Sequence, residues 1–113
     1  MTSAAEPFER VDIDRARELI DSGSVALIDV REQEEWDDGY IDGATRISVN
    51  DIISMSAVDD LPKDQPIVFY CAAGVRSALA SELAASVGVP GPLYSMEGGF
   101  DAWKKAGHPT AQD

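Results

Sequence analysis

The chain has 113 residues, 44% hydrophobic and 27% charged, with a formal net charge of −12. That length holds one core rather than two, and the apolar content is that of a folded domain. The acidic balance excludes nucleic acid and anionic membrane surfaces as partners, because both demand a basic face. The one cysteine, Cys71, rules out an internal disulfide and a four-cysteine zinc site. No metal or other cofactor is expected.

Residues 1–7 read as a flexible leader. They lack the basic and apolar segments of a signal peptide, and no apolar run reaches membrane length, so the expectation is a cytoplasmic protein. Phe8 to Val11 fits a short edge strand. Asp12 is a plausible N-cap for a helix through Ile20, with Ile13, Ala16, Leu19 and Ile20 at helical spacing. Ser22-Gly23-Ser24 stops that helix. Val25 to Val30 is a nearly continuous apolar run, as expected of a buried parallel strand. Arg31 to Asp38 is acidic and reads as a loop with a brief helix, anchored by Trp36; its Glu32, Glu34, Glu35, Asp37 and Asp38 have no metal-loop spacing and are expected to face solvent. Gly39 to Ala44 is loop chemistry. Thr45 to Val49 returns as a strand, Asn50 to Met55 as a weak helix, and Asp59 to Pro66 as a turn-rich connector.

The stretch Ile67-Val68-Phe69-Tyr70-Cys71-Ala72-Ala73-Gly74-Val75-Arg76-Ser77 then reads as strand, tight loop and helix. The helix runs from about Val75 to Val87, with Leu79, Leu83 and Val87 along one face. Leu93 to Ser95 is a short strand, and Phe100 to Ala106 a last helix carrying Trp103. His108, in Gly-His-Pro, is expected to be a surface turn residue, and 110–113 a tail after a domain spanning 8–109. Strands alternating with helices argue for an α/β layer structure with a mostly parallel sheet. Sites in such sheets lie beyond the carboxyl ends of the strands, where Cys71, Asp29 and Arg31 all fall.

A cysteine between a strand and a helix start meets converging backbone N–H groups and the positive end of a helix dipole. That setting favours the thiolate and presents the sulfur for reaction. Ala72, Ala73 and Gly74 are small enough for the loop to curl into an anion-binding nest. Ser77 is expected to start or cap the helix. Four residues separate Cys71 from Arg76. Cysteine phosphatases close a longer loop around phosphate; the shorter ring here suits one extra sulfur on the cysteine. Arg76 either contacts a donor anion or is braced by a carboxylate, with Asp29, Glu35 and Arg31 as the residues available for such bracing.

Four segments together give the chain a family likeness: Leu27-Ile28-Asp29-Val30-Arg31 with Glu35-Trp36; Gly39-Tyr40-Ile41-Asp42-Gly43-Ala44; Cys71 to Ser77; and Glu97-Gly98-Gly99-Phe100-Asp101-Ala102-Trp103. In this order they resemble the single-domain rhodaneses, a sulfurtransferase family. The resemblance implies a three-layer α/β sandwich around a mostly parallel five-stranded sheet with helices on both faces. It also implies a cysteine persulfide at Cys71, which takes sulfane sulfur from thiosulfate or a persulfide and passes it to a thiol or cyanide, with a sulfur-relay protein as a further possible partner. The loop Ala72, Ala73, Gly74, Val75 and Arg76 would hold the terminal sulfur, and Asp29, Arg31, Glu35 and Ser77 would support it. Tyr40 and Asp42 stand where the family usually has His and Pro. Ala72 stands where it often has Arg or Lys, which points to a persulfide donor more than to thiosulfate. The alternatives are a non-catalytic regulatory or binding module on the same fold and, against the loop length, a cysteine phosphatase or arsenate reductase.

Overall fold

Alternate residues of the central strand face opposite layers, and this alternation organises the molecule. The computed structural model describes residues 6–112; most of the expected leader (residues 1–5) and Asp113 of the expected tail lie outside the described residues. Strand β4 (Ile67–Tyr70) is fully buried. Its Ile67 and Phe69 join one apolar cluster, with Ile52, Leu61, Ala80 and Ala84, while Val68 and Tyr70 join a second, with Ala16, Phe100 and Trp103. A strand covered on both faces reads as an unbroken apolar run because its side-chain period of two feeds two cores.

Around β4 the sheet has five strands, all parallel, in the order β1-β5-β4-β2-β3, with β1 at Glu9–Val11, β2 at Ala26–Asp29, β3 at Thr45–Arg46 and β5 at Leu93–Met96. Helices α1 (Ile13–Asp21) and α5 (Gly99–Lys105) cover one face. Helices α3 (Val49–Ile53) and α4 (Val75–Ser86) cover the other. The short α2 (Gln33–Asp37) follows β2. Asp12 caps α1 as expected, accepting the Arg15 N–H at 2.8 Å.

Three local expectations are corrected. Strand β3 ends at Arg46, because Ser48 caps a helix that already begins at Val49. Helix α4 fully buries Ser77, Ala80, Ser81 and Ala84; of the expected face, Leu83 and Val87 pack half-buried against the core, and Leu79 is 41% exposed; small side chains let the helix backbone lie close on the sheet. His108 is half-buried rather than a free surface residue: its ring packs edge-on against Trp103, and its Nδ1 lies 3.0 Å from Arg17 Nη1. After α5, Ala111 pairs with Tyr40 in an isolated antiparallel bridge, and Tyr40 stacks on Trp36 with ring centroids 3.8 Å apart. Among the described residues no helix is long and apolar enough to cross a membrane.

Candidate active site

The loop that follows β4 is fixed from both ends. Gly74, at φ 110°, is the N-cap of α4, so the cap is this glycine and not Ser77. A left-handed φ costs an L side chain energy that glycine does not meet. From the other side the start of α5 lies directly on the loop. Phe100 N–H donates to the Cys71 carbonyl at 2.8 Å and Asp101 N–H to the Ala72 carbonyl at 3.0 Å. Two N–H groups that a helix start leaves unpaired are thus satisfied by the loop. A Cβ on Gly99, at φ 58°, would collide with the Cys71 carbonyl oxygen and lie 2.6 Å from the Ala72 carbonyl. Glycine at 99 is therefore a packing requirement of the cysteine loop, a role its sequence context as a helix-start turn did not reveal.

With the Cys71 and Ala72 carbonyls held by α5, two backbone N–H groups meet the sulfur. Gly74 N–H donates to Cys71 Sγ at 3.1 Å and Ser77 N–H at 3.4 Å. Ser77 Oγ lies 3.7 Å from the same sulfur. The sulfur thus accepts from two backbone N–H groups and its own S–H donates to Ser77 Oγ, and Cys71 is only 1% exposed. The expectation of a presented sulfur is corrected to this extent: the thiol is buried beneath the loop and the start of α5. A cavity of about 330 Å³ adjoins the loop between Ala73, Gly74 and Val75 on one side and Arg10, Glu97 and Gly98 on the other; Cys71 is outside its wall.

The structure selects among the candidate braces for Arg76. Arg76 Nη1 and Nη2 donate to Glu35 Oε1 and Oε2 at 2.7 and 2.8 Å, a bidentate pair. These hydrogen bonds, against the opposing effect of burial, hold the Glu35 carboxyl down at about 2. The same bonds, again opposed by burial and helped by the charges of Glu35 and Cys71, raise the Arg76 guanidinium above its ordinary value. Glu35 also accepts the Glu32 N–H at 3.0 Å, closing a capping box on α2. Glu35 is therefore engaged rather than simply solvent-facing, and Glu32 likewise accepts from Ser48 Oγ at 2.7 Å.

Asp29 and Arg31 reach the same sheet edge but pair with each other. Arg31 Nε and Nη2 donate to Asp29 at 3.0 and 2.7 Å, and Nη2 also donates to the Gly39 carbonyl at 2.7 Å. Burial opposes the guanidinium charge, yet Asp29 outweighs it and the group holds its proton more tightly than a free arginine. Tyr70 completes this support by accepting the Ile41 N–H at 3.0 Å, which ties the Gly39–Ala44 loop to β4. Two contributors went unread in the sequence. Ser95, a small polar residue in β5 beside Leu93, Tyr94 and Met96, lies 2.9 Å from Ser77 Oγ. The backbone N–H groups of Phe100 and Asp101 carry no side-chain signal at all.

A family model for the rhodanese-like domain matches residues 12–106. The chain is 42% identical over 94 residues to the probable adenylyltransferase/sulfurtransferase MoeZ of Mycobacterium tuberculosis, covering 82% of this chain and spanning about a quarter (24%) of that relative's length. It is 31% identical over 99 residues to the thiosulfate sulfurtransferase GlpE of Pseudoalteromonas translucida, covering 88% of this chain and 91% of that one. Among solved structures, a rhodanese-related protein from Thermoplasma volcanium superposes with a TM-score of 0.82 at 25% identity, covering 94% of this chain and all of that one. A Rhodopseudomonas palustris protein of unknown function, described as a possible tyrosine phosphatase, gives 0.79 at 32% identity over 92% of this chain and 85% of its own. With its parallel five-stranded sheet, covered faces and cysteine loop, the chain belongs to the rhodanese-like domain family.

Proposed function

We propose that the protein is a sulfurtransferase that works through a persulfide on Cys71, within a domain spanning residues 8–109. The observation that carries this reading is the pair of backbone donors on one sulfur: Gly74 N–H at 3.1 Å and Ser77 N–H at 3.4 Å, in a loop with four residues between Cys71 and Arg76. The Cys71 thiolate attacks the outer sulfur of thiosulfate or of a persulfide. The donor S–S bond breaks, sulfite or a thiolate leaves with the electron pair, and Cys71 carries an anionic terminal sulfur. The N–H groups of Gly74 and Ser77, which already reach Cys71 Sγ, together with the other loop N–H groups from Ala72 to Arg76, stabilise that charge as an oxyanion hole would. A thiol or cyanide acceptor then takes the outer sulfur and restores Cys71. The names of the GlpE and MoeZ relatives support this class of chemistry, and the second makes a sulfur-relay protein a reasonable acceptor.

Arg76 acts here as a brace, since both of its outer nitrogens are engaged by Glu35. Ala72 and Ala73 add no charge, so anion binding rests on the backbone, and a persulfide suits the loop better than the thiosulfate dianion. We place the protein in the cytoplasm.

Intact mass after incubation with thiosulfate, and separately with a low-molecular-weight persulfide, tests the reading. A one-sulfur adduct is expected on the native protein and none on Cys71→Ser, whose circular dichroism should match the native protein. Native protein free of adduct with both donors would favour a binding module and overturn the proposal. Turnover of an aryl phosphate would point to a phosphatase instead.

A further inference from the structure

Strand β5 brings a buried hydroxyl to the cysteine loop that the chemistry above leaves unused. Ser95 and Ser77 are 1% and 0% exposed, with their Oγ atoms 2.9 Å apart. Ser77 Oγ is also 3.1 Å from the Gly74 carbonyl oxygen and 3.7 Å from Cys71 Sγ. Each hydroxyl has one proton and two lone pairs. Among the described residues Ser77 is the hydrogen-bond partner of Ser95 Oγ. A buried hydroxyl that withheld its proton from that partner would leave it unpaired, so Ser95 donates and Ser77 accepts.

The Ser77 proton then has two destinations, the Gly74 carbonyl and the Cys71 sulfur. The Gly74 carbonyl does not depend on it, because Ala78 N–H already donates there at 3.3 Å. When the sulfur is a thiol, the S–H group donates to Ser77 and the Ser77 proton rests on Gly74. When the sulfur is anionic, as thiolate or persulfide, the Ser77 proton turns to it as a third donor beside the N–H groups of Gly74 and Ser77. The donation from Ser95 prevents the Ser77 proton from turning the other way, into β5. We propose that Ser95 is a positioning residue, which aims the Ser77 hydroxyl at the anionic sulfur of Cys71. The inference deepens the sulfur-transfer reading and rests on it for the working charge state of the sulfur.

The test reads the thiolate directly, through its ultraviolet absorbance against pH, with Cys71→Ser as the blank. It compares the native protein with Ser95→Ala, Ser77→Ala, the double variant and Ser95→Thr. At the pH where native Cys71 is half ionised, the thiolate fraction should fall about two- to fivefold in each alanine variant, the loss of one hydrogen bond to a charged group. The double variant should fall no further than Ser77→Ala alone, because Ser95 acts through Ser77. Ser95→Thr keeps the hydroxyl and should keep the native curve. In sulfur transfer Ser95→Ala should lower kcat with KM for the donor unchanged. A native thiolate curve in Ser95→Ala, or losses that multiply in the double variant, would overturn the positioning role. Thiolate curves that shift as expected in a native protein that accepts no sulfur would instead uphold the aiming of Ser77 and sink the sulfur-transfer reading, so the two failures are distinct.

Discussion

Two carboxylate–guanidinium pairs flank the carboxyl edge of the sheet, and they differ in both burial and reach. Asp29 and Arg31 are two residues apart, with side chains 0% and 4% exposed. Glu35 and Arg76 lie 41 residues apart, each side chain 33% exposed. The first pair closes on itself and holds the Gly39 carbonyl in place. The second joins α2 to the first turn of α4, and so to the cysteine loop. Burial makes a pair a structural commitment, because either charge left alone has no water to turn to. A half-exposed pair has water as a substitute, so its value lies in geometry rather than in stability.

The comparison predicts unequal costs for the same operation. Arg31→Met leaves the Asp29 carboxylate buried without its cation and should cost about 3–5 kcal/mol. Arg76→Met leaves a Glu35 that water can reach and should cost about 1 kcal/mol or less. Urea unfolding midpoints measure both. Equal losses would mean that the two pairs play the same structural part.

The same contrast explains what could be read from the sequence. Strands β2 and β4 were legible because burial on both faces leaves an apolar run. The cysteine loop was legible because its chemistry is contiguous, from Cys71 to Ser77. The partner of Arg76 was not, since three carboxylate or guanidinium residues end near that edge and only the crossing from β2 to β4 decides which one meets it. Likewise the buried face of α4 was hidden: Ser77, Ala80, Ser81 and Ala84 carry it, while the exposed Leu79 draws the eye. Hydrophobic spacing marks a face that buries volume. It is silent where the requirement is close approach, as at Ala80 and again at Gly99, or a hydroxyl, as at Ser95.

A smaller effect tests the geometric value of the exposed pair. Arg76→Lys keeps the charge but loses the planar fork that grips both oxygens of Glu35. The rate of sulfur transfer should fall about tenfold, about 1.4 kcal/mol in the barrier. KM for thiosulfate should stay unchanged, because Arg76 faces Glu35 rather than the donor. A raised KM with the rate retained would place Arg76 on the donor anion and reverse the assignment.

The smallest effect isolates the charge of that pair. The Arg76 guanidinium, against the opposing effect of burial, holds the Glu35 carboxyl at about 2, below its ordinary 4.5. A group whose value is depressed on folding stabilises the folded chain above its unfolded value and loses that contribution as pH falls through the folded one. Glu35→Gln should therefore be less stable than the native protein by about 0.5–1 kcal/mol at pH 7, the range for a water-accessible pair. The difference should hold down to about pH 5, be mostly lost at about pH 2 and vanish by about pH 1. Denaturant melts of both proteins across that range measure it, and added salt should shrink it. Glutamine still offers an oxygen to the Glu32 N–H, so the capping box survives the substitution and the pH-dependent part belongs to the ion pair. A difference that persisted unchanged at pH 2 would assign the contribution of Glu35 to packing on α2, leaving the loop braced by shape rather than by charge.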